Sequence, residues 1–122
     1  RQGRARRARR RVAQGRLWVG ISTHNLAQAI EAEQGGADYI GCGPTFPSKT
    51  KNFDAFAGVE FLRRAAASVN IPMFAIGGIN SDNLQQVLEA GCQRIAVSGA
   101  IHRASDTCLA ARQLKEQLST HA

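Results

Sequence analysis

From Leu17 onward the chain repeats one pattern four times: a short apolar run, a break rich in glycine and small polar residues, then a stretch with helical spacing of apolar positions. The runs cover residues 17–21, 37–42, 73–76 and 94–97. The helical stretches are one built on Leu26, Ala29, Ile30 and Ala32 and ended by Gly35-Gly36, then 58–68, 82–90 and 106–118. This alternation restricts the fold more than any other feature, because strands joined through helices lie parallel and cross over right-handed. In such an array all the C-terminal strand ends share one face, where ligands bind. The unusual residue clusters fall at those ends: Ser22-Thr23-His24, residues 43–51, Gly77-Gly78 and Ser98-Gly99.

Two of the four ends carry a specific chemistry. In Ala75-Ile76-Gly77-Gly78-Ile79-Asn80 and in Ile95-Ala96-Val97-Ser98-Gly99-Ala100-Ile101, an apolar run ends in residues that leave the backbone bare before a helix begins. Bare amides can approach an anion closely, and the start of a helix adds partial positive charge. In (β/α)8 barrels the loops after the seventh and eighth strands form phosphate sites in this way. The two ends are one βα unit apart, so they read as one phosphate cradle rather than as two unrelated turns.

Length bounds the architecture. A chain of 122 residues suits one domain, but it is about half of a usual (β/α)8 barrel. Four strands leave two open sheet edges, and pairing of two copies as a homo-oligomer would cover both. The formal charge of +7 is concentrated at one end: residues 1–16 hold eight arginines and no acid, while the rest carries eight basic and nine acidic groups. Residues 1–16 therefore read as an Arg-rich arm or remnant helix, and residues 17–122 as the folded body. With no aromatic residue among its arginines, the arm is not read as a nucleic-acid interface. Cys42, Cys92 and Cys108 lack metal-binding or disulfide spacing, and Cys42 and Cys92 read as buried, inert thiols. No run of about eighteen apolar residues is present, and the chain reads as cytoplasmic, without a membrane partner.

The motifs together resemble a known family. Gly20-Ile21-Ser22-Thr23-His24, Gly36-Ala37-Asp38-Tyr39-Ile40-Gly41, the run from Gly43 through Pro44, Phe46 and Pro47 to Thr50-Lys51, then Pro72 with residues 75–80, and residues 95–101 are similar in order and spacing to the carboxy-terminal half of thiamine phosphate synthase. The resemblance covers residues 17–118, and its most specific part is the segment from Gly36 to Lys51. It implies an α/β fold of the TIM (β/α)8-barrel family, of which this chain holds the last four βα units.

The resemblance also implies an activity: condensation of hydroxymethylpyrimidine diphosphate with thiazole phosphate, giving thiamine phosphate and pyrophosphate with magnesium. By the same resemblance, Lys51 contacts the diphosphate, Ser48 and Thr50 hold the phosphate groups, and Ser22 lies beside the pyrimidine and diphosphate. Gly78, Ser98 and Gly99 cradle the thiazole phosphate. Ser22 would serve as a helix cap as well. Asp38 and Tyr39 read as fold residues. The family's metal aspartate would fall near Arg4, where an arginine brings positive charge to a cation site, so no metal ligand is assigned here. Two other readings remain open: a thiazole tautomerase-like enzyme relying on His24, and a nucleic-acid-binding protein relying on the arm.

Overall fold

The computed structural model describes residues 17–46 and 58–121. The Arg-rich segment and the stretch carrying Ser48, Lys49, Thr50 and Lys51 lie outside the described residues. Strands β1 (Gly20–Thr23), β2 (Tyr39–Cys42), β3 (Met73–Ile76) and β4 (Ile95–Ala96) form one parallel sheet in chain order. They alternate with helices α1 (Leu26–Gln34), α2 (Gly58–Ser68) and α3 (Leu84–Glu89), and α4 (Gly99–His102) and α5 (Thr107–His121) follow β4.

Each strand offers alternate side chains to opposite faces, which splits the sheet into a dry side and an open side. Thr23, Ile40, Cys42, Met73 and Ala75 are buried on the dry side. They pack under a helical layer built from Ala29 and Ala32 of α1, Phe61, Leu62 and Ala65 of α2, and Leu84, Val87 and Leu88 of α3. In α2 the buried positions recur as one helical stripe, while Glu60 on the outer face pairs with Arg63 at 2.6 Å and Arg64 at 3.2 Å. Those pairs are exposed and contribute little to stability.

The open side carries Gly20, Ser22, Tyr39, Gly41, Phe74 and Ile76, which line a cavity of about 560 Å3. The Tyr39 ring lies over Gly20, where any β-carbon would collide with it. It meets Phe74 in a T-shaped arrangement, 5.6 Å between centroids and 74° between the planes. Gly20 thus makes room for an aromatic pair that spans three strands.

The structure moves the first strand. The run over residues 17–21 reads as strand, yet β1 begins at Gly20. The cause is Asp38: its Oδ2 accepts from the Val19 amide at 2.7 Å while its own amide donates to Val19 O at 2.8 Å, so the regular ladder starts one residue later, at Gly20 opposite Tyr39. Leu17 and Trp18 are left exposed. Ser22 is consequently a strand residue and caps no helix. Asn25 caps α1 instead, accepting from the Gln28 amide at 2.9 Å, while Gln28 Oε1 accepts from the His24 amide at 2.8 Å. The second and fourth strands are shorter than their apolar runs, and α3 starts two residues after Asp82. Helix α4 is an extra turn that carries no apolar periodicity of its own.

Both inert-thiol assignments correspond to buried groups, Cys42 at 0 % and Cys92 at 2 % exposure. Burial pushes the Cys42 thiol up to about 11, against the opposing hydrogen bond with Thr23. Since its usual value is 9.0, the thiolate population near neutrality falls about a hundredfold. Iodoacetamide at pH 8 is therefore expected to label exposed Cys108 at least about a hundredfold faster than Cys42, with the two rates converging in denaturant. Mass spectrometry of the labelled peptides checks this, and equal rates in the native chain would contradict the burial. The folded thiol keeps its proton to higher pH than the unfolded one. Stability is thus untouched below pH 9.0 and falls as pH rises toward about 11.

Candidate functional site

The C-terminal strand ends form one rim because the four strands are parallel and paired in order. At the β3 end the chain needs two consecutive glycines. Gly77 has φ 103° and Gly78 φ 68°, a region that side chains disfavour. A β-carbon on Gly77 would lie 2.8 Å from Pro44 Cα, and one on Gly78 would lie 2.8 Å from Phe46 O. The glycines therefore permit both the turn and the close passage of the segment that leaves β2.

That segment is bound tightly to the β3 end. Thr45 is buried and donates twice to Ile76 O, from its amide and from Oγ1, each at 3.0 Å. The Phe46 amide donates to Gly77 O at 3.1 Å. Beyond the glycines, Asn80 and Asn83 fix the turn: the Asn80 amide donates to Asn83 Oδ1 at 2.9 Å, and Asn83 Nδ2 donates to Gly78 O at 2.8 Å. The carbonyls of Gly77 and Gly78 are thus both engaged, whereas the amides of Gly77, Gly78 and Ile79 have no acceptor among the described residues.

The β4 end supplies a second set of donors. Ser98 O accepts from the amides of Ile101 at 3.1 Å and His102 at 2.8 Å, which starts α4. The amides of Gly99 and Ala100 precede the helix's own hydrogen bonds and have no acceptor among the described residues. Ser98 is exposed and its hydroxyl makes no capping bond. Ile76 pairs with Ala96, so the residues after them leave adjacent strands at the same rim. Five amides and a hydroxyl without an acceptor among the described residues, at one edge of a sheet, are the chemistry of an anion site.

Of the residues singled out in the sequence, Gly78, Ser98 and Gly99 come together at this rim. Ser22 sits near the end of β1 on the open face, exposed, and its hydroxyl makes no hydrogen bond among the described residues. Ser48, Thr50 and Lys51 lie outside the described residues. Thr45 and Asn83, which hold the glycine turn in place, were not legible as site residues, because their roles arise from contacts with Ile76 and Gly78. His24 has its Nδ1 2.7 Å from Gly43 O. Among the described residues no group of three His, Cys, Asp or Glu side chains could hold a metal ion. No described helix is long and apolar enough to cross a membrane.

Consecutive parallel βα units with a donor-rich rim at their C-terminal ends define a portion of a (β/α)8 barrel. A family model described as thiamine monophosphate synthase matches residues 2–101, and the chain belongs to that family. The thiamine-phosphate synthase of Synechococcus sp. strain WH7803 is 46% identical over 114 residues, which are 93% of this chain and 32% of that protein. The thiamine-phosphate synthase of Pyrococcus furiosus is 46% identical over 100 residues, 82% of this chain and 48% of that protein. A solved structure of thiamine phosphate pyrophosphorylase from Pyrococcus furiosus superposes with a TM-score of 0.83 at 40% identity, covering 93% of this chain and 54% of that one. The chain thus spans between 32% and 54% of these relatives. The family match begins at residue 2, so most of the Arg-rich segment falls inside it.

Proposed function

We propose that this chain carries the thiazole phosphate half of a thiamine phosphate synthase site and acts in thiamine biosynthesis. The observation that supports this most directly is the set of amides on Gly77, Gly78, Ile79, Gly99 and Ala100 that have no acceptor among the described residues. A phosphate placed there gains several hydrogen bonds to backbone groups already fixed by Thr45, Asn80 and Asn83, so little ordering remains to oppose binding. Ser98 adds a hydroxyl. The position of Gly78, Ser98 and Gly99 in the family's motifs supports the same assignment.

In the proposed reaction the carbon to oxygen bond to the leaving diphosphate breaks as the bond to the thiazole forms. Holding the thiazole phosphate by its far end orients the ring toward the pyrimidine carbon. Ser22, on the open face beside Gly41 and Ile76, is assigned to the pyrimidine and diphosphate. Lys51, with Ser48 and Thr50, is assigned to the diphosphate, whose charge grows as the bond breaks and calls for a fixed cation. These three assignments rest on the motif alone. The Arg-rich segment is assigned to the family's fold rather than to nucleic acid, on the support of the match from residue 2. Magnesium remains part of the proposal by resemblance, and a homo-oligomeric state because pairing of two copies would cover the two open sheet edges.

Calorimetric titration of the chain with thiazole phosphate tests the reading. Saturable binding is expected, and Ser98→Asp should weaken it by on the order of a hundredfold, because a like charge placed in the cradle costs several kcal/mol. A folded chain that does not bind, or binding indifferent to the aspartate, would sink the cradle assignment.

A further inference from the structure

We propose that His24 is a positioning residue: through Nδ1 it holds the Gly43–Phe46 backbone against the end of β3, and thereby holds the glycine turn of Gly77 and Gly78 in place. The ligand consequence rests on the phosphate reading above, while the mechanical one does not.

The chain of contacts is continuous. His24 follows β1 directly, and its place is set by α1, since its amide donates to Gln28 Oε1 at 2.8 Å. Its ring then reaches across to the neighbouring strand end, with Nδ1 2.7 Å from Gly43 O. A carbonyl oxygen only accepts, so Nδ1 carries the hydrogen, and in the neutral ring Nε2 is left as a bare acceptor. The last backbone rung between the same two strand ends, from the Gly43 amide to Thr23 O, is long at 3.3 Å. No other described group donates to Gly43 O. The imidazole is therefore the short tie between β1 and the segment leaving β2.

On its other side that segment is bonded to β3 through Thr45 and Phe46, at 3.0 and 3.1 Å. It also touches both cradle glycines. Gly77 and Gly78 face Pro44 Cα and Phe46 O so closely that neither tolerates a β-carbon, and Gly43 itself abuts the backbone of Ile76. Packed backbone of this kind transmits a shift rather than absorbing it. Loosening Gly43 therefore loosens the bonds that fix the glycine turn.

Two substitutions separate this role from chemistry at the other ring nitrogen. His24→Asn keeps an N–H the same number of bonds from the β-carbon as Nδ1 and removes Nε2. His24→Ala removes both. His24 is exposed, so neither change touches the core. Amide hydrogen exchange in the full chain reads the outcome, with Thr45 and Phe46 as reporters and Ile40 and Ala75 as references in the sheet. In His24→Ala the reporters should exchange about tenfold faster while the references stay within about twofold of wild type. His24→Asn should match wild type at all four. Unchanged reporters in His24→Ala would overturn the proposal. So would equal acceleration of the references, which would mean a merely global loss of stability. Asparagine behaving like alanine would overturn it too, since the tie would then not run through the Nδ1 hydrogen. Titration with thiazole phosphate adds the ligand arm: affinity should fall severalfold in His24→Ala and persist in His24→Asn. Absence of binding by wild type would sink the phosphate reading, and the exchange pattern would still decide the role of His24.

Discussion

Replacing Gly77 by alanine should destabilise the chain by about 3 kcal/mol and abolish thiazole phosphate binding. Two costs add. At φ 103° a side chain strains the backbone by about 1–3 kcal/mol. The new β-carbon would also sit 2.8 Å from Pro44 Cα and 3.1 Å from the Thr45 nitrogen, both main-chain atoms that cannot rotate away, which adds about 1–3 kcal/mol of overpacking. Gly41→Ala is the matched control, because a β-carbon there meets nothing within 4 Å and should change stability by less than about 0.5 kcal/mol. Urea unfolding of both variants checks the prediction. Similar midpoints for the two would mean that the glycine turn is not held as described.

Leu62→Ala carries the other large effect. Leu62 is fully buried, at the centre of the helical layer over the sheet, and nothing about it is tied to the ligand rim. Removing its side chain should cost about 3 kcal/mol, within the span of about 2–5 seen for such truncations. In a chain of this size that corresponds to a fall of roughly 10–20 °C in melting temperature. Arg63→Ala, one residue along on the solvent face, breaks only an exposed ion pair and should stay within about 0.5 kcal/mol. A scanning calorimetry trace in which both variants melt alike would contradict the one-sided packing of the sheet.

Helix α2 and strand β3 could be read from the sequence to the residue, and the reasons are local. Phe61, Leu62 and Ala65 fall on one helical stripe, and β3 is bounded by Pro72 and Gly77-Gly78. The first strand could not be read that way. Its apolar residues begin at Leu17, but the start of the ladder depends on the carboxylate of Asp38, nineteen residues beyond Val19. Helix α4 escaped for the opposite reason, being too short to show a period.

At the site, the glycines and Ser98 announced themselves by composition, since bare backbone after an apolar run has few other uses. The residues that hold them did not. Thr45, Asn83 and the ring of His24 act on carbonyls of Ile76, Gly78 and Gly43, and such pairings depend on the fold having formed. The resemblance to the family was carried by residues 17–118, whereas the family match reaches back to residue 2. Eight arginines hide whatever pattern the family shares in that segment.

The open side of the sheet gives the chain an optical handle. Trp18 is the only tryptophan in the sequence, and it stands 76% exposed at the margin of the cavity that Tyr39 and Phe74 line. Its emission therefore belongs to one face and to no other part of the molecule. In the chain alone it should lie at the long wavelength of a hydrated indole. A shift to shorter wavelength would register anything that comes to lie against that face, at concentrations far below those needed for calorimetry and without a label.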